Sequence, residues 1–155
     1  KANFVTECKR MELTCVPKLV KFLEDVRYAG EIKSLLSKNT EAIAHLYVIQ
    51  GFDFASRDIG SPSDPYLIVT CGESVFNERD SYQDDEPNPK FNKRYDFNVS
   101  FPGAPPLVVE AYDYDLLFGD DLIGKTSIDL DDRFFNPKWV AIEEKPIETR
   151  ELYHQ

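Results

Sequence analysis

From Gly30 onward the chain is a succession of short runs, each closed by glycine, proline, asparagine or aspartate. EIKSLLS, AIAHLYVIQGF, PYLIVTCG, SVFNERDSY, RYDFNVSF, LVVEAYDYD, IGKTSIDL and PIETRELY follow one another at this rhythm. Alternation places successive side chains on opposite faces of a sheet, and this part of the chain shows almost no helical period. Eight such runs predict an all-β fold, an eight-stranded antiparallel Greek-key β-sandwich. The abundance of aromatics, 11 Phe and 8 Tyr, favours strands. AIAHLYVIQGF is expected as a buried-type strand, with His45 structural inside it. Pro87 and Pro89 force a turn or extended connection, PGAPP ends RYDFNVSF, and FNPKW reads as a loop.

The first stretch is different. Val16, Leu19, Val20, Phe22, Leu23 and Val26 recur at roughly helical spacing, with Pro17 near the start and Gly30 after the end. The expectation is an N-terminal extension over residues 1–29, with a short helix at about 17–28, followed by one domain over 30–155. The chain starts at Lys1 rather than Met, which reads as a segment of a larger protein. No run is long and apolar enough to span a bilayer and no signal peptide is visible, so any membrane anchor is expected outside this segment.

A net charge of −10 argues against nucleic-acid partners and against constitutive attraction to anionic lipid. Cys8 and Cys15 lack zinc spacing and Cys71 stands alone in a strand, so all three read as buried or free thiols.

Five aspartates fall into two clusters. Asp58 and Asp64 lie in SRDIGSPSDPY, and Asp113, Asp115 and Asp121 lie in YDYDLLFGDDLIG; each cluster follows an apolar run. In an antiparallel Greek key two such loops meet at one end. Asp113 and Asp115, two apart on an extended chain, point the same way, while Asp121 returns from the far side of a turn eased by Gly119. Clustered carboxylates repel one another unless a cation compensates. All-oxygen ligands favour a hard ion, and calcium takes six to eight oxygens at roughly 2.3–2.6 Å. The expected cofactor is therefore Ca2+, two or three ions, with the backbone carbonyls of Ile59 and Tyr114 as possible additions.

These motifs, in this order, resemble a calcium-binding C2 domain. RDIGSPSDPY, PNPKF and DYDLLFGDDLIG match the family's first loop, its N-P-x-F turn and its third loop over about residues 30–152. Gly60 stands one place earlier than in many members, and Pro62 is added. The resemblance implies a C2-type sandwich with its first strand at the N-terminal side. It implies Asp58 and Asp64 as first-loop ligands and Asp113, Asp115 and Asp121 as third-loop ligands, with Asp120 an extra neighbour. GDDLIGKTSIDLDDRFF and PIETRELYH further resemble the ferlins, large tail-anchored proteins with many C2 domains. That likeness implies the cytoplasmic face of membranes and work in membrane fusion, vesicle traffic or membrane repair.

Leu116, Leu117 and Phe118 sit among acids, and Ile59 occupies the tip of the first loop. Ile59, Leu117 and Phe118 are the expected membrane-inserting residues. The competing reading of LLF is a loop folded back on the core, and that of the aspartates is a C2 domain that has kept acids but binds no ion. Asp84, Asp85 and Glu86 read as solvated acids; they oppose an inositide head group despite Lys90, Lys93 and Arg94. An enzyme reading fails. LVVEAY-DYDLL resembles the DxDx(T/V) phosphatase motif, but Leu117 stands where Thr or Val is needed and no βαβ pattern exists. An EF-hand fails because Leu117 replaces an oxygen ligand and flanking helices are missing. Neither His45 nor His154 meets a nucleophile. The expected partner is an anionic phospholipid membrane, with other domains of the same protein or fusion machinery as further candidates. The alternative is a protein–protein interaction domain that uses calcium only structurally or not at all.

Overall fold

A computed structural model describes residues 39–54, 62–117 and 119–153. The helix expected at about 17–28 and the strand expected at EIKSLLS lie outside the described residues.

Six strands are seen among the described residues: β1 (Thr40–Gln50), β2 (Pro65–Cys71), β3 (Ser74–Asn77), β4 (Lys90–Phe101), β5 (Leu107–Asp113) and β6 (Asp121–Ile128). They form a four-stranded antiparallel sheet in the order β3-β2-β5-β6 and a two-stranded sheet of β1 and β4. By its contacts the chain divides into two compact units. One comprises Ala42–Val99, Pro105–Leu130 and Pro146–Gln155; the other takes in Ser100–Ala104 and Asp131–Lys145.

Alternation writes the core of the first unit. Leu107, Val109 and Ala111 of β5 point inward, as do Tyr95, Phe97 and Val99 of β4. Phe76 of β3 meets the Tyr95 and Phe97 rings at 5.3 and 5.2 Å, which joins the two sheets through aromatic packing. Burying each such large side chain is worth about 1.5–3 kcal/mol.

Several expectations are corrected. β1 is not buried on both faces: half-buried residues alternate with exposed ones, and Ile43 and Tyr47 are 57% and 62% exposed. His45 lies on that outer face, bonded to Asp96 at 2.7 Å. An apolar run without polar alternation cannot reveal that one face is left exposed among the described residues. SVFNERDSY is a strand only as far as Asn77. The Asn77 side chain accepts the Arg79 amide at 3.0 Å, and Arg79–Ser81 continues as a 3-10 turn.

PIETRELY is not a strand. It touches β6 through a single bridge, in which Tyr153 and Lys125 exchange two backbone hydrogen bonds. The Arg150 side chain bonds Thr126 Oγ1 and the Ser127 carbonyl in place of a longer ladder. The tail passes so close that a Cβ on Gly124 would lie 2.9 Å from that of Leu152.

The second unit holds the other correction: FNPKW, read as a loop, covers the last residue of α1 (Leu130–Phe135, whose first residue belongs to the first unit) and most of α2 (Pro137–Val140). Asn136 accepts from the Lys138 and Trp139 amides at the start of α2, and Pro137 fits the first helical position, where no amide is needed. Phe101 stacks on Phe134 at 4.0 Å, and the Asp131 carboxylate accepts the Gly103 and Ala104 amides.

Candidate metal centre at the end of the four-stranded sheet

Sheet register brings together residues that are distant in the chain. Pro65, Asp113 and Asp121 are successive cross-strand partners on β2, β5 and β6. Asp64, which precedes Pro65, therefore joins Asp113 and Asp121 at one sheet end. Like charges directly opposite each other, as in the Asp113–Asp121 pair, destabilise a ladder unless they are compensated.

Asp113 is the last inward residue of β5, continuing the row Leu107, Val109, Ala111, and is only 5% exposed. Its Oδ1 accepts the Asp64 amide at 2.7 Å, and the Tyr114 amide donates to the Asp64 carbonyl at 3.0 Å. These two bonds stitch the turn before β2 to the turn after β5.

The β3–β4 connection closes on the same end. The Asp85 amide donates to Asp64 Oδ1 at 2.7 Å, and the Glu86 amide donates to the Ser63 carbonyl at 2.9 Å. Asp84 and Asp85 are exposed there and Glu86 is half-buried, so this acidic run adds charge beside the aspartates. Ser63 is fully buried, and its hydroxyl has no partner among the described residues.

Asp115, half-buried, follows β5. Its Oδ1 accepts the Leu117 amide at 2.6 Å, which forms a local Asx turn. Leu116 and Leu117 project from that turn, 79% and 77% exposed. Asp58, Ile59 and Phe118 lie outside the described residues.

Asp120 has a different role from its neighbours. Arg79 grips it with two bonds, Nε to Oδ2 at 2.5 Å and Nη2 to Oδ1 at 3.0 Å. The Tyr66 hydroxyl adds a third at 2.7 Å and the Asp115 amide a fourth at 3.0 Å. The Arg79 bond, aided by those of Asp115 and Tyr66, holds the Asp120 carboxyl at about 2. Burial, then the bond to Asp120, pushes the Tyr66 phenol up. Arg79 also lies 4.4 Å over the Tyr114 ring, which stacks on Tyr82 at 4.2 Å. No spacing in the sequence points to Arg79, because it reaches Asp120 only through the strand order β3-β2-β5-β6.

Among the described residues no three His, Cys, Asp or Glu side chains are close enough together to hold a metal ion. One oxygen each of Asp64, Asp113 and Asp115 is occupied by a backbone amide. The donor set is nevertheless all carboxylate, one of it buried, and that chemistry fits a hard cation such as calcium.

The chain is similar to known proteins in sequence and in fold. A family model described as C2 domain matches residues 43–147. Myoferlin of Xenopus tropicalis is 33% identical over 100 residues, 64% of this chain and 5% of its own length. Fer-1-like protein 4 of Mus musculus is 34% identical over 94 residues, 61% of this chain and again 5% of its own. The chain thus spans about 5% of the length of these curated relatives. A solved structure of the C2A and C2B domains of Extended-Synaptotagmin 2, calcium bound, is similar with a TM-score of 0.52 and 28% identity, covering 57% of this chain and 34% of that one. Human GIVD cytosolic phospholipase A2 shares the fold alone, with a TM-score of 0.54 and 20% identity over 61% of this chain and 14% of that one.

Proposed function

The chain belongs to the C2 domain family, and from that premise we propose that it is a calcium-dependent phospholipid-binding module of a larger ferlin-like protein. The observation that carries this reading is the gathering of Asp64, Asp113 and Asp121 at one sheet end beside the exposed Leu116 and Leu117. In this reading Asp58, Asp64, Asp113, Asp115 and Asp121 hold the ions, with the carbonyls of Ile59 and Tyr114 available as additional ligands.

The chemistry calcium supplies when bound is neutralisation of these carboxylates and coordination of lipid phosphate oxygens. Without it the acidic end repels anionic lipid, over a range of about 8 Å at physiological salt. Ile59, Leu117 and Phe118 add an apolar contribution, about 1.5–3 kcal/mol for each side chain fully buried. Leu117 and Phe118 together then contribute on the scale of the charge switch. The module works at the cytoplasmic face of membranes, binds rather than catalyses, and serves membrane fusion, vesicle traffic or repair.

Co-sedimentation with phosphatidylserine liposomes tests this reading. Binding that requires calcium is the expected result. Equal and negligible binding with and without calcium sinks it in favour of a protein–protein interaction module, a reading favoured by the backbone amides already bonded to Asp64, Asp113 and Asp115.

A further inference from the structure

The turn between β5 and β6 carries its own cation. The Arg79 guanidinium comes from the β3–β4 connection, crosses β2 and spans both oxygens of Asp120. The same Nη2 also donates to the Asp115 carbonyl at 3.3 Å. Asp120 in turn accepts the Asp115 amide, so both backbone polar groups of Asp115 are fixed by this pair. Tyr66 anchors the carboxylate to the start of β2, and the Tyr114 ring is held between Arg79 and Tyr82. Gly119, with φ of 93°, gives the chain the left-handed residue that lets Asp120 fold back onto the turn. Every one of these bonds joins two groups of the protein itself.

We infer that Arg79 and Asp120 are positioning residues: their ion pair presets the turn after β5, so that Asp115 is aimed and Leu116 and Leu117 are displayed before any ion arrives. Resting on the function proposed above, this makes an ion's effect on the described residues of this turn a change of charge rather than a change of backbone. It also separates two adjacent acids. Asp121 is left exposed at the sheet end, while Asp120 is committed to a side chain of the protein.

The sign of one effect tests this. Arg79→Leu removes a positive charge beside an acidic end, and Coulomb's law alone then predicts tighter calcium binding. Loss of the clasp predicts the opposite, a fall of about tenfold or more, because charge-assisted bonds that held Asp115 are gone. Calorimetric titration of the chain with calcium chloride alone distinguishes the two; unchanged or tighter binding overturns the inference.

Amide hydrogen exchange on the calcium-free chain supplies the second arm. The Asp115 amide is expected to be protected in the wild type and to lose that protection in Arg79→Leu, with Val69 and Val109 in the core unchanged. Tyr66→Phe, which removes one hydroxyl donor, should shift Asp115 the same way by less. If Arg79→Leu does not fold, Tyr66→Phe and Arg79→Lys, which keeps the charge but loses the planar fork, carry both arms. Should the wild type take up no calcium, the proposed function fails and exchange alone decides the clasp. An Asp115 amide that exchanges freely in the calcium-free wild type, or uniform loss of protection across the core in the variants, overturns it.

Discussion

Two adjacent aspartates, Asp120 and Asp121, are identical in chemistry and different in surroundings: Asp120 is bound by Arg79, and Asp121 is exposed. Asp120 is half-buried and its carboxyl lies at about 2, mainly through its bond to Arg79. A carboxyl lowered on folding adds stability above its unfolded value near 4, and that stability is lost as pH falls toward 2. Because Arg79 is itself partly exposed, the contribution is discounted to about 1–2 kcal/mol. Denaturant unfolding of Asp120→Asn across pH 2–6 should lack that acid-sensitive increment. For the proposed ligands the expectation concerns binding. The double variant Asp113→Asn, Asp115→Asn leaves the amide-accepting oxygens in place and removes two charges, so the fold persists and the calcium titration goes flat. A trace identical to the wild type removes these residues from the site. The aspartate spacing was legible in the sequence because Asp113 and Asp115 are two apart on an extended run. The partner of Asp120 was not, because Arg79 is 41 residues away and only register joins them.

Strands that alternate cleanly were legible as elements. RYDFNVSF and LVVEAYD carry one buried face and one half-buried or exposed face and lie in β4 and β5, while IGKTSI lies in β6, where Gly124 alone is buried. The two faces of β1 were not distinguishable, because Ile43, Tyr47 and Ile49 are as apolar as the half-buried Leu46 and Val48 between them. The short helices were missed although one carried its signal: Asn136-Pro137 is a cap followed by a proline at the first position. Asn136→Ala should cost about 1 kcal/mol, read by thermal unfolding. At the centre of β4, Phe97 is 1% exposed and packs edge-on against Phe76. Phe97→Ala should cost about 3–5 kcal/mol in denaturant unfolding, and a loss under 1 kcal/mol would show that this ring is not part of the core.

With a net charge of −10, the whole chain is expected to be repelled by anionic lipid despite an apolar tip. Repulsion from such a surface is a property of the whole chain, whereas the tip contributes two exposed leucines among the described residues. Leu117→Asp with Phe118→Asp should therefore keep calcium affinity in solution and lose phosphatidylserine liposomes. Liposome binding equal to the wild type would show that the tip is not inserted. The family was legible at this scale because the order of loops and strands is written in turn residues. The tail was not: PIETRELY has a strand's composition, yet it meets β6 at one bridge and through the Arg150 side chain. One feature of the centre reaches the whole molecule. Asp113 terminates the same inward row that fills the middle of the sheet. A cation seated on it would grip only the folded chain, so the melting temperature would act as a gauge of free calcium, rising by the equivalent of about 2.7 kcal/mol at a hundredfold excess over Kd.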